Sequence, residues 1–169
     1  MAAWEFQSLQ TIAEKNEWHK FISMQSYHSL TGREEEREII PYCQDAGIAN
    51  LSWSPMARGV LTRLWDAVRD SLRETKDIAL ILLVHSRESD SDKSIIDRVK
   101  EVAKKKGLSM AQIAVAWTLS HQRINPVLGL NSFQRINDAV ASINVKLTEE
   151  KIKYLEEPYV PKRLSVIER

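Results

Sequence analysis

Three short apolar segments, set far apart and separated by helix-like stretches, constrain this chain more than any other feature. They are "KFISMQ" (Lys20–Gln25), "IANLSW" (Ile48–Trp53) and "NPVLG" (Asn125–Gly129). Each is too short for a helix and is compatible with a pleated strand. The intervening sequence carries helical spacing rather than hairpin turns. Strands that alternate with helices pair in parallel through right-handed crossovers, so the expected class is α/β with a parallel sheet.

The helical segments are defined by spacing and punctuation. From Ala3 to Asn16, the residues Trp4, Leu9, Ile12 and Ala13 are expected to share one face. Arg33–Gly47 is expected to be a helix with an acidic first half near its positive end and Gly47 as its stop. Pro41 within it signals a kink or a late start. Asp92–Lys106 carries a stripe of Ile95, Ile96, Val99, Val102 and Ala103, ended by Gly107. Ser109 and Gln112 form a capping-box pattern before "MAQIAVAWTLS", which is apolar nearly all round and should be buried. "SFQRINDAVAS" and "TEEKIKYLEE" are the last two helices, the final one ended by Pro158. There is no internal repeat.

Composition narrows the function classes. A length of 169 residues with 43% hydrophobic content suits one ordinary domain. A balance of 24 basic against 23 acidic residues offers no electrostatic reason for a nucleic acid or an anionic membrane as partner. Cys43 is the only cysteine, so no intrachain disulfide forms, and a reduced, cytoplasmic setting is expected. The start "MAAWEFQSLQ" lacks the basic and apolar regions of a signal peptide. The longest apolar run, Ile78–Val84, is far below the ~20 residues that span a bilayer.

The stretch "NLSWSPMARGVLT" (Asn50–Thr62) sets a large aromatic, a hydroxyl and an arginine at the end of a strand. Trp53 as a simple core anchor, with Ser54-Pro55 ending the strand, is one reading. A ligand-facing corner is the other.

The blocks "FISMQSYHSLTGREEEREIIPYCQDAGI", "WSPMARGVLTR", "KKKGLSMAQIAVAW", "GLNSFQRINDAV" and "KLTEEKIKYLEEPYVP" together resemble the aldo-keto reductase family, in its aryl-alcohol-dehydrogenase-like branch. They occur in family order over most of the chain. The resemblance implies a (β/α)8 barrel fold, of which this chain matches the last three βα units, leaving a partial, unclosed TIM barrel. Family members bind a nicotinamide cofactor, usually NADPH, and interconvert aldehydes or ketones and alcohols. Barrel active sites sit at the C-terminal face of the strands.

The resemblance assigns roles residue by residue. Trp53 would stack on the nicotinamide ring, an aromatic face suiting a planar partner. Gln25 would hydrogen-bond the carboxamide. Ser54 and Met56 would line the pyrophosphate path, and Arg58 would reach a phosphate. Gly129, Asn131, Ser132, Arg135 and Asp138 fall where the family holds the adenosine phosphate, at a helix start suited to an anion. Leu130 replaces a residue that is usually small or polar, and Ala139 an asparagine that reads the adenine. NADP(H) binding is therefore expected to be weakened or lost. Read without the family, Gln25 is a polar strand end, Ser132 a helix cap, and Arg135 and Asp138 are solvated.

The family's chemistry uses Asp, Tyr, Lys and His, all from the first half of the barrel, and this chain has no counterpart to them. The four histidines, His19, His28, His85 and His121, do not replace the set. No histidine, cysteine or carboxylate spacing indicates a metal, and no Gly-x-Ser-x-Gly elbow indicates a hydrolase. Tyr27 follows Gln25 and would line the substrate side without a matched lysine. The expected reading is an oxidoreductase fragment without catalysis as a lone chain. The alternatives are a non-catalytic nucleotide-binding or regulatory module, or a degenerate gene product.

Residues 64–91 match a variable family lid, except for the apolar "IALILLV", which has no evident place in a solvent-facing loop. It is either a retained segment of a damaged gene or a new element covering the exposed interior. A barrel of this type usually takes about 250 residues, and three strands leave two open edges. The uncovered face is expected to carry Ile22, Met24 or their neighbours into water. Self-association, an N-terminal half-barrel partner or a loosely packed state follows. A small aldehyde or alcohol substrate is expected only when the barrel is completed.

Overall fold

Parallel pairing of three strands in sequence order, β1-β2-β3, organises the chain. The computed structural model describes residues 1–66 and 89–162. Ile78–Val84 and most of the 64–91 segment lie outside the described residues. Helix α1 (Ala3–Lys15) leads to β1 (Ser23–Tyr27), a short 3-10 turn (Glu34–Glu36), α2 (Ile39–Asp45) and β2 (Ala49–Trp53). A further 3-10 segment (Ala57–Thr62) follows. Then come α3 (Asp90–Lys106), α4 (Met110–Leu119), β3 (Ile124–Val127), α5 (Phe133–Ala141) and α6 (Glu149–Glu156).

Local chemistry explains most element ends. Ser109 accepts from the Gln112 backbone at 3.1 Å and the Gln112 amide oxygen accepts from the Ser109 N–H at 2.9 Å, closing the capping box. Gly107 stops α3 with a left-handed φ of 65°. The expected helix from Arg33 starts late. Its acidic run forms only a 3-10 turn, and α2 begins at Ile39. Pro41 then lies in the first turn, where its missing N–H has no intrahelical partner to lose.

Helix α1 presents a different face from the expected one. Phe6, Gln10 and Ala13 are buried, whereas Trp4 is 66% exposed and Ile12 47%. The Gln10 amide donates to the Phe21 carbonyl at 2.9 Å and accepts from the Phe21 N–H at 2.8 Å. Phe6 meets the Phe21 ring at 5.8 Å and the Tyr42 ring at 5.9 Å. A polar anchor to the chain entering β1 therefore sets the helix rotation, which an apolar count does not detect.

Two apolar clusters hold the helices. Ile95, Ile96 and Val99 of α3, Ile113 and Trp117 of α4, and Leu155 of α6 are fully buried together with Leu30 and Leu61. The stripe expected on α3 is thus the buried one, and α4 is buried nearly all round. Phe6, Ile39, Ile40, Cys43, Ile48 and Ile124 form the second cluster, beneath α1 and α2.

The sheet covers one face only. In register, Met24, Asn50 and Ile124 are neighbours, as are Ser26, Ser52 and Pro126. Asn50, Ile124, Ser26 and Ser52 of this set are buried. The alternate set comprises Gln25, Leu51 and Asn125, then Tyr27, Trp53 and Val127. Gln25 and Asn125 are exposed, and Val127 is 46% exposed. Met24 accordingly packs against the second apolar cluster and does not face water as expected. Strand β1 starts at Ser23 instead of Lys20, and side chains alternate faces strictly, so parity in the actual pairing decides which residues are left uncovered. Ile22 is 85% exposed but precedes the strand.

Candidate functional site

Trp53 ends β2 and the Gly129–Arg135 segment follows β3, while Gln25 lies in the middle of β1. Gln25 is exposed and in register with Leu51. Trp53 is the last residue of β2, paired with Tyr27 on one side and Val127 on the other. The Tyr27 and Trp53 rings stand 4.9 Å apart, tilted by 41°. An aromatic pair and a carboxamide thus share the one open face of the sheet.

Tyr27 is not poised as an acid. Burial pushes its phenol up to about 12, and its oxygen accepts from the Ser29 hydroxyl at 3.1 Å. A hydroxyl this reluctant to ionise, without a neighbouring lysine, is suited to packing against Trp53.

The corner after β2 is strained. Ser54, Ala57 and Arg58 hold φ angles of 52°, 47° and 53°, and Gly59 holds 103°. Three non-glycine residues in the left-handed region within five positions cost energy that the surroundings must supply. The Ala57 N–H donates to the Ser54 carbonyl at 2.8 Å and the Gly59 N–H to Met56 at 2.9 Å. Buried Ala57, Val60 and Leu61 anchor the segment in the first apolar cluster, with Met56 packed against it. The corner is therefore a fixed projection from the core, carrying Ser54 and Arg58 beside the strand end.

After β3 the chain passes Gly129 and Asn131 to the start of α5. Ser132 caps that helix, its hydroxyl accepting from the Arg135 N–H at 3.3 Å. The Arg135 guanidinium donates to the Asn131 side-chain oxygen at 2.7 Å, which holds it over the first turn. A Cβ placed on Gly129 would meet nothing within 4 Å, so the approach to the helix start is open. Asp138 lies one turn farther on. Its carboxylate accepts from Gln134 at 3.2 Å and its carbonyl from Ser142 at 3.0 Å. Trp53, the Ser54–Arg58 corner and the Gly129–Arg135 segment thus lie at or after the C-terminal ends of β2 and β3, Gln25 lies one strand over in the middle of β1, and Asp138 bonds within α5.

Sequence spacing did not reveal a second grouping. His28, Glu36 and His121 converge, with Glu156 beside them. They come from four separate segments, so only the fold assembles them.

Comparison with known proteins follows this geometry. The Aldo/keto reductase family model matches residues 2–159. Versiconal hemiacetal acetate reductase of Aspergillus parasiticus is 62% identical over the whole chain, which covers 49% of that protein. A Schizosaccharomyces pombe protein bearing an aryl-alcohol dehydrogenase name is 50% identical over 95% of this chain and 48% of its own length. The chain therefore spans about half the length of the curated relatives it matches. Among solved structures, a thermostable aldo-keto reductase crystallised with the inhibitor epalrestat superposes with a TM-score of 0.65 at 19% identity, over 90% of this chain and 44% of the other. That likeness shows the fold, an unclosed part of a TIM barrel. By family match, relatives and architecture together, the chain belongs to the aldo/keto reductase family, in its aryl-alcohol-dehydrogenase-like branch.

Proposed function

We propose that this chain supplies the cofactor-facing part of an NADP(H)-dependent oxidoreductase that reduces aldehydes or ketones to alcohols, and that it does not turn over substrate alone. The observation that carries this reading is the placement of Trp53 and the Gly129–Arg135 segment at or after the C-terminal ends of neighbouring parallel strands, with Gln25 one strand over. Ligands of parallel α/β folds bind at those strand ends.

The residues present fit a nicotinamide dinucleotide chemically. Trp53 offers a flat face on the uncovered side of the sheet, backed by Tyr27 at 4.9 Å. Gln25 offers an amide donor and acceptor on the neighbouring strand. Arg135 and the first turn of α5 offer a cation and N–H groups for a phosphate. When bound, the cofactor supplies the hydride. This chain's residues would hold and orient it, and keep one face of the ring covered. Leu130 and Ala139 differ from the family pattern, and binding is proposed to be weak.

Among the described residues we assign no agent for protonating the substrate carbonyl. Tyr27 is the nearest phenol to the candidate site, and its burial and hydrogen bonding oppose proton transfer. We place the missing acid on a partner half-barrel. The exposed apolar flanks beside the sheet's two edges fit such a partner: Trp18, Phe21 and Ile22 on the β1 side, and Phe133, Ile136 and Val140 on the β3 side.

The test is cofactor absorbance at 340 nm, a general property of NADPH, with several aromatic aldehydes. The isolated chain is expected to show only background. The expectation then extends to co-expression with the first half of a full-length relative, where activity should appear. Robust turnover by the chain alone, abolished in Tyr27→Phe, would overturn the reading.

A further inference from the structure

Beside the end of β1, the described residues bring one set of ligand-type side chains to a common point. His28 follows β1, Glu36 closes the 3-10 turn, and His121 follows α4. One ligand atom from each lies within 4.8 Å of the others. His28 Nε2 is 2.8 Å from Glu36 Oε1, and His121 Nε2 is 3.5 Å from Glu156 Oε1. The two imidazoles meet edge to face at 5.4 Å. Trp117 stacks on His28 at 4.9 Å and meets His121 at 4.6 Å.

We propose that His28, Glu36 and His121 form a site for a divalent transition ion of the zinc type, with Glu156 as an available fourth ligand. Two imidazoles and a carboxylate are a donor set that Zn²⁺ and Co²⁺ favour. Ligand atoms about 2.0–2.1 Å from a tetrahedral ion stand about 3.3 Å apart. The cluster therefore needs to contract by up to about 1.5 Å at its widest and not to be rebuilt.

Orientation and access support the site. His121 Nδ1 lies 2.9 Å from the Trp117 carbonyl. With Nδ1 as donor there, Nε2 presents its lone pair to the cluster, the arrangement that commonly holds a ligating histidine. His28 is fully buried, whereas the Glu36 and His121 side chains keep 26% and 22% exposure, which leaves an entry path.

Two features limit the affinity. Arg33 forks onto Glu36 at 2.9 and 2.7 Å and reaches Glu156 at 3.2 Å, so an ion competes with a guanidinium. His28 Nδ1 has no hydrogen-bond partner. A metal on Nε2 moves the imidazole proton to that unpartnered position. Both effects weaken the affinity.

The test uses the full chain without a histidine tag. Co²⁺ is titrated while visible d–d absorption and tryptophan fluorescence are followed, and Zn²⁺ is then added as competitor. The wild type is expected to show one equivalent of tetrahedral Co²⁺, displaced by Zn²⁺, with quenching from Trp117. His121→Gln and Glu36→Gln should each weaken binding by roughly tenfold or more, while the His19→Gln/His85→Gln double variant should bind as wild type. Circular dichroism checks the fold of each, and the two site variants are read independently. The proposal is overturned by no d–d band up to millimolar Co²⁺, by unchanged affinity in both folded site variants, or by loss of binding in the double variant.

Discussion

A Cβ placed on Gly32 would stand 2.1 Å from Cε1 of Tyr27, closer than any non-bonded carbon approach. Gly32 and Ser29 exchange two backbone hydrogen bonds at 3.0 Å, which pins the loop against the ring. The ring, so confined, packs on Trp53. Gly32→Ala is expected to push Tyr27 off Trp53 and cost about 1–3 kcal/mol, as overpacking does. Tyr27→Leu in the same chain should recover part of that loss. A double-mutant cycle by thermal melt, with near-ultraviolet circular dichroism for the aromatic pair, checks the coupling. Additive losses would mean that the contact is relieved without cost.

Cofactor binding is the second expectation. NADPH should quench tryptophan fluorescence weakly; Arg135→Ala should reduce the affinity by about tenfold or more, since hydrogen bonds to charged groups are worth roughly 1.5–3 kcal/mol, and Trp53→Ala should reduce it through lost ring stacking. Ser132→Ala should lower helix stability more than cofactor affinity, because its hydroxyl caps α5. No quenching at millimolar cofactor would leave these residues as ancestry alone.

Acid sensitivity follows from Glu36. Its carboxyl sits at about 2 in the folded chain against an ordinary 4.5. A depressed carboxyl stabilises above its unfolded value, and that contribution is lost as pH falls from about 4.5 toward about 2. The full contribution at neutral pH is roughly 3 kcal/mol. His28, lowered by burial, adds to acid lability because the unfolded chain takes up its proton first. His121 works the other way. Burial would lower it, but Glu156 and the Trp117 carbonyl raise it, so its stabilisation is present at low pH and fades as pH rises through the folded value. Glu36→Gln should flatten the stability–pH curve between about 4.5 and 2. A slope equal to wild type in urea titrations at stepped pH would contradict the assignment.

Self-association is the fourth expectation. Leu51, Trp53 and Val127 lie on the less covered sheet face, with Val127 46% exposed, and fully burying side chains of this size gains about 1.5–3 kcal/mol each. That sum is comparable to the 5–15 kcal/mol stability of a whole domain. Size-exclusion with light scattering should show assemblies or a broad melt in place of a stable monomer. Phe133→Lys, at a side chain 86% exposed, should reduce association without harming the core. A sharp melt of a monodisperse 19.4 kDa monomer would show that the face is covered by the chain itself.

Local signals were legible where one segment carries both halves of a contact. The α3 stripe, the Ser109–Gln112 box and the stops at Gly47 and Gly107 needed only neighbours in sequence. The family was legible because several blocks occur in order. The rotation of α1 was not, since it depends on Gln10 binding the backbone of Phe21. The strained corner at Ser54, Ala57 and Arg58 gave little sign either, because residue types do not report a left-handed φ imposed by burial.

By itself the sequence determined the class: short strands alternating with amphipathic helices, hence parallel pairing. Helical and strand periods are local properties, and turn residues act within a few positions. Only the tertiary structure decided which strand face is left uncovered, since the helices pack against the face that carries Met24 and Asn50 and leave Gln25 on the other. Only it brought His28, Glu36, His121 and Glu156 to one point, because contacts between distant segments are set by packing around Trp117 and not by spacing along the chain.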